Sequence, residues 1–357
     1  WPWHLKSPHA AEWLRWPMQF VNIWRMDLVF LLSGAAFGFL SKGAVSPWRL
    51  IGQRAWRLLL PLLFGMYVVV SYQAYAEAVA KNAISPGFIA FMQRYVAGGP
   101  WPKNAFAGSD FGVTWMHLWY LAYLFVYSAV LALLLPWLRG AAGQRLAGAF
   151  TRLRGWRLLV LPALPLLLYA LVLAPRFPAT HDLLHDGYLH PLYFTVFVYG
   201  YLMGTNAGLW AELNRLRRIS LGLALALVTL FFALRAVQVD LPWLLQVLRT
   251  LYLWLALAAI LGLAHRHLNR PWPWLGWANE SVYPWYMLHQ TLIVAGAVLL
   301  ARWHLGPVME PALLVLFTVG GCWLLTDGVI RRVKWLRPLF GLKPAARPAT
   351  RRAPGLA

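Results

Sequence analysis

Cysteine is nearly absent. Cys322 is the only one in 357 residues, and it lies inside an apolar run. No intrachain disulfide and no zinc site of the finger type can be built from it, and a lone thiol in such a run reads as packing. Acids are scarce as well. Eleven Asp and Glu stand against 32 Lys and Arg, and charged residues make up only 12% of the chain, about half the share of a soluble domain. Strand-like alternation of apolar and polar residues is missing, which excludes a β-barrel. No long-period repeat is visible, so the symmetry of inverted-repeat transporters finds no support. The start carries no basic segment followed by a signal-like apolar core.

What is present is long apolar runs. The chain is 61% hydrophobic with a mean hydropathy of +0.57, and runs of about 20 such residues recur along it, the length of a membrane-spanning helix. The fold class is therefore all-α, a polytopic transmembrane helix bundle. The net charge of +21 would suggest nucleic acid in a soluble protein. Here the cations fall in short loops between apolar runs, so membrane topology accounts for them and no nucleic-acid partner is expected. Most of the 22 tryptophans sit near run ends, as in the aromatic belts of the lipid–water boundary.

Residues 1–24 read as interfacial. Nine spans are predicted, roughly at 25–40, 56–76, 115–138, 156–174, 191–210, 219–239, 242–264, 281–302 and 308–330. Residues 77–114 read as a long loop, with Pro and Gly in GGPWPKNAFAGSD. One transmembrane domain covers 1–343, and 344–357 is a basic cytoplasmic tail whose composition marks it as disordered. Loops holding Lys42, Arg49, Arg54, Arg57, Arg139, Arg152, Arg215 and Arg266 share one side with the tail. The positive-inside rule puts that side, and the C-terminus, in the cytoplasm. Nine spans leave Trp1 outside. A chain that begins without methionine reads as a fragment, and a tenth, upstream span would return the N-terminus to the cytoplasm.

Ionisable groups inside a bilayer are costly and each asks for a reason. Asp27 opens the first span, where it complements the helix dipole. Ser33-Gly34 follows, a pair suited to close helix packing. Arg54 and Arg57 lie three apart on one helix face at a lipid–water boundary. They either snorkel as anchors or form a fork of cations for a phosphate or carboxylate. His117 and Trp119 sit at the outer end of the third span. Glu280 precedes the eighth, and His289 lies within it near Tyr283, Tyr286 and Gln290; histidine is the side chain able to take a proton near neutral pH. Pro284 disturbs the helix between Glu280 and His289 if that helix has already begun. Arg249 lies inside the seventh span and needs a partner, with Asp27 and Glu280 both open. The loop from His181 to His190 offers metal-ligand residue types at a spacing that matches no tight site, and reads as solvated.

Six segments in order carry a family resemblance: MDLVFLLSG from Met26, the Arg54/Arg57 pair, HLWYLAYLFVYS from His117, VFVYGYLMG from Val196, NESVYPWYMLHQTLIV from Asn279 and IRRVKWLRPLFGLK from Ile330. Over nearly its whole length the chain resembles the acyltransferase-family-three membrane proteins, most closely the glucan succinyltransferase branch. The resemblance implies ten helices in a bacterial inner membrane and transfer of an acyl group, acetyl or succinyl, from acyl-CoA to a hydroxyl of a glycan or other extracytoplasmic acceptor. It also implies an Arg-x10-His motif on a first helix, which would lie upstream of Trp1, so the site within this chain is expected to be incomplete. Carried over residue by residue, the candidate catalytic residues are His289, His117, Glu280 and Asp27. Arg54, Arg57, Ser33 and Gly34 are the candidates for the acyl-CoA donor, and Trp119, Tyr283 and Arg249 for substrate. No metal is expected. A transporter or flippase, or a non-catalytic membrane subunit, is the alternative reading.

Overall fold

Apolar runs cut by glycine and proline fold here as helices, as the composition requires of a chain whose backbone groups must be satisfied without water. The computed structural model describes residues 11–43, 45–204 and 206–344. Among these there is no strand. In chain order the helices are α1 (Arg15–Asn22), α2 (Arg25–Leu40), α3 (Pro47–Phe64), α4 (Ser71–Ala80), α5 (Phe88–Val96), α6 (Trp119–Arg139), α7 (Ala141–Thr151), α8 (Trp156–Val160), α9 (Ala163–Val172), α10 (Leu189–Gly204), α11 (Ala207–Ala236), α12 (Pro242–His267), α13 (Leu275–Leu300), α14 (Gly306–Leu325) and α15 (Leu336–Leu339). The expectation of a disordered tail falls, from residue 345 on, outside the described residues.

Among the described residues seven helical stretches are long and apolar enough to cross a membrane, and an eighth is reached if the bent pair of α7 with α8–α9 counts as one span. Two of the nine predicted segments fall short. In the fourth, Trp156–Val172 is one helical stretch too short to cross by itself, and it is bent by 108° from α7. In the fifth, α10 has only 16 residues, about 24 Å at the helical rise, against a hydrocarbon layer of about 30 Å. The segment read as interfacial also differs: residues from Glu12 onward join α2 in one 29-residue helical stretch.

The chain divides into two compact units. The first holds, among the described residues, Arg57–Leu118 and 273–344, the second Ala11–Trp56 and Trp119–Trp272. The boundary crosses α3 between Trp56 and Arg57.

In the second unit, α2 and α10 pack through two small-residue pairs, Gly34 with Gly38 and Gly200 with Gly204. A Cβ on Gly34 would run into the Phe197 carbonyl, and one on Gly200 into the Leu31 carbonyl. Backbone therefore meets backbone, the approach that small residues four apart permit between membrane helices. Phe30 stacks on Tyr193 beside this seam at 4.6 Å. Helices α11 and α12 form a long hairpin, and the buried Trp254 of α12 donates its indole N–H to the Leu158 carbonyl at 3.1 Å.

In the first unit, α3 runs through a π-turn at Gly65–Val69 into α4. The stretch read as a loop from 77 to 114 is a folded nucleus. Phe91 and Tyr95 of α5 pack with Ala74, Ala78, Ala105 and Phe106. The Tyr95 hydroxyl donates to the Met66 and Thr114 carbonyls, both at 3.2 Å. Phe88, Phe91 and Tyr95 keep a helical period, but α5 is only nine residues long and lies between Gly87 and the Gly98-Gly99 pair, so a reading for membrane spans takes it as loop. After α14 the chain turns back. Phe340 meets Phe64 at 5.3 Å, and the buried Arg337 donates to the Lys343 and Arg331 carbonyls at 2.9 and 3.1 Å.

Candidate functional site

One polar cluster of the first unit forms around His117 and His289. His117 is carried on the short 3-10 turn Met116–Leu118 that leads into α6, and His289 faces it from α13. Their rings meet edge to face with centroids 5.2 Å apart. Nε2 of His117 lies 3.1 Å from both the Tyr286 and Met287 carbonyls. Carbonyls only accept, so Nε2 carries the hydrogen and Nδ1 the lone pair. The Gln73 amide donates toward that lone pair at 3.4 Å and to Thr291 Oγ1 at 2.7 Å. Thr291 in turn donates to the Val69 carbonyl at 2.8 Å. The Tyr286 hydroxyl closes the ring of contacts by donating to the His117 carbonyl at 2.7 Å. His117 is thus fixed in one tautomer by a chain of side chains.

His289 has the opposite tautomer. Its Nδ1 is 2.8 Å from the Tyr286 carbonyl and 3.1 Å from that of Trp285. Nδ1 donates, and Nε2 is the nitrogen that can take a proton. Gln73 and Thr291 were not singled out from the sequence. Gln73 falls outside every recognised motif, and only the fold shows that it reaches both Thr291 and His117.

Glu280 is not part of this cluster. Helix α13 begins at Leu275 and runs unbroken through Pro284, so the nine residues from Glu280 to His289 span about 13.5 Å of rise. Glu280 instead pairs with Arg331 at 2.9 Å and Arg337 at 3.4 Å. Tyr283 donates its hydroxyl to the Arg57 carbonyl at 3.1 Å, and its ring lies against Gly341, whose φ is +70°. The Arg57 side chain itself is exposed.

In the second unit, Ser33 and Tyr120 join their hydroxyls at 2.5 Å. Arg54 donates Nε to Oγ of the fully buried Ser128 at 3.1 Å, and its charge acts on the Tyr120 hydroxyl. Three elements thus bring a cation and three hydroxyls together, and Tyr120 and Ser128 were missed in the sequence because each reads there as one more residue of an apolar helix. Gly34 serves the α2–α10 seam and faces backbone rather than open space. Asp27 is 4% exposed, and Arg249 is the cation whose charge acts on it and on Tyr188 and Tyr193. Of the two partners open to Arg249 in the sequence, Asp27 is the one this unit supplies.

The loop before α10 is exposed over residues 175–180 and 184–185, as a solvated loop should be, yet it is organised around one buried acid. Asp186 is fully buried there and accepts from the Thr180 N–H at 2.5 Å, the Thr180 hydroxyl at 2.8 Å and the Tyr123 hydroxyl at 2.5 Å. His190 stacks on Tyr123 at 4.8 Å and lies 2.8 Å from the Leu183 carbonyl. Trp119 meets His181 at 4.4 Å. The N–H of Leu184 and the His185 ring hold Asp182 below the usual carboxylate range, and burial pushes His181 below an ordinary imidazole. Among the described residues no three His, Cys, Asp or Glu side chains converge as a metal site.

No curated protein and no solved structure matches the chain. A family model described as an acyltransferase domain matches residues 2–327. That match takes in both units and nearly all the polar groups just described. The chain belongs to acyltransferase family 3 and is a membrane acyltransferase.

Proposed function

We propose that the protein transfers an acetyl or succinyl group from acyl-CoA to a hydroxyl of a glycan or similar acceptor, as in the glucan succinyltransferase branch of the family. The observation that carries this reading is the orientation of His289: its Nδ1 is committed to carbonyls, which makes Nε2 a base. Nε2 takes the proton of the acceptor hydroxyl. The oxygen attacks the thioester carbonyl, the C–S bond breaks, and the CoA thiolate leaves with the proton returned from the imidazolium. His117 is a positioning residue for this step, since both its nitrogens are engaged.

Acyl-CoA is the donor substrate. Arg54, oriented by Ser128, and the exposed Arg57 are the cations offered to its phosphates or pantetheine arm. The cation-rich loops support a bacterial inner-membrane location with a cytoplasmic C-terminus. The test is release of free CoA by the purified full-length protein given acyl-CoA and an oligosaccharide. His289→Ala should abolish it, and Arg54→Ala with Arg57→Ala should abolish acyl-CoA binding. Wild-type protein that releases no CoA would leave the transport reading in its place.

A further inference from the structure

The loop between α9 and α10 has a structure that solvent exposure does not explain. His181 sits in the left-handed region with φ at +56°, a conformation that costs a non-glycine residue energy and is held only when its surroundings dictate it. What dictates it is Asp186, five residues on, buried and tied by three hydrogen bonds to Thr180 and Tyr123. The result is to lay the His181 ring against Trp119 at 4.4 Å with 58° between the planes. The two rings form a corner rather than a stack.

Trp119 is backed by Tyr123 at 5.0 Å and Tyr193 at 6.0 Å. It and His181 are both only partly buried. Neither ring nitrogen of His181 has a hydrogen-bond partner among the described residues. An aromatic wall with unspent imidazole nitrogens at its edge suits a ligand with apolar faces and a polar rim. Asp182 and Asp186 on the same loop disfavour an anion.

We propose that His181 and Trp119 form a binding subsite for a neutral sugar ring of the acceptor, with Asp186 as the residue that holds the subsite in shape. Trp119 takes the C–H face of the ring, and the His181 nitrogens take its hydroxyls. This rests on the acceptor reading given under Proposed function and adds the residues and the charge class.

The experiment is saturation-transfer NMR on the full-length protein in nanodiscs, without acyl-CoA, using one panel of neutral oligosaccharides and one of uronic-acid oligosaccharides. Neutral sugars should bind and acidic ones should not. His181→Asn, which keeps a residue tolerant of positive φ, should weaken binding about tenfold, the worth of one or two hydrogen bonds. Trp119→Leu should weaken it at least as much. His185→Asn, on the same loop with its side chain 70% exposed, should leave binding within about twofold. Equal binding by wild type and both subsite variants would overturn the proposal, as would a wild type that binds no neutral sugar. Acyl-CoA consumption is measured on the same sample: sugar binding without CoA release would end the transferase reading and leave the subsite standing.

Discussion

His117 and His289 stand edge to face at 5.2 Å in opposite tautomers, one giving its Nε2 hydrogen to two carbonyls and the other its Nδ1 hydrogen. The roles of the two histidines divide accordingly. Replacing His289 with Gln should lower CoA release by about 10²–10⁴-fold, the range for losing a general base. Gln73→Leu removes the donor to His117 Nδ1 and to Thr291, and should lower the rate by a smaller factor with little change in acyl-CoA KM. Steady-state assays of free thiol read both. A full loss in Gln73→Leu with His289→Gln still active would reverse the assignment.

Arg54 and Arg57 share a helix and differ in setting. Arg54 spends Nε on Ser128, whereas lysine has a single nitrogen for both that bond and a ligand. Arg54→Lys should therefore raise the KM for acyl-CoA about tenfold, and Arg57→Lys by much less. Titration of binding with a non-hydrolysable CoA thioether analogue checks the order of the two.

At most helix positions Gly→Ala gains about 1 kcal/mol. At Gly34 and Gly200 the sign should reverse, because the added methyl meets a carbonyl of the facing helix; a loss of about 1–3 kcal/mol is expected from such overpacking. Gly222→Ala, where a Cβ meets nothing within 4 Å, should keep the ordinary gain. Thermal unfolding in detergent separates the three variants.

Glu280 ties the start of α13 to Arg331 and Arg337, and it is partly open to solvent at 41%. Its contribution is that of a partly exposed ion pair, about 0.5–1 kcal/mol. A double-mutant cycle of Glu280→Gln and Arg331→Gln should return a coupling of that size, shrinking as salt is raised. A coupling near zero would remove this pair as a clamp on the C-terminal segment.

Composition and apolar run length made the helical, membrane-crossing character legible, and the motif order made the family legible. Seven of the nine predicted spans rest on runs that hydropathy reads well. The fourth and fifth depend on the bend between α7 and the stretch from Trp156 to Val172 and on the end of α10, and a hydropathy window averages over such limits. His117 and His289 were visible as costly polar groups. Gln73, Thr291, Tyr120 and Ser128 were not, because their part lies in contacts between segments far apart in the chain, 218 residues for Gln73 and Thr291. The aromatic nucleus around Tyr95 and the loop organised by Asp186 were hidden for the same reason: Tyr95 reaches the Met66 carbonyl, and Asp186 accepts from Tyr123, 63 residues away.

The glycine seam between α2 and α10 has a further consequence. It admits not even a methyl group, so no acyl tail or lipid chain threads between those two rods, and any route for substrate through their unit has to skirt them. With nothing compressible in the joint, they travel as one beam. Spin labels placed one on each should report a single unchanging separation through every stage of turnover.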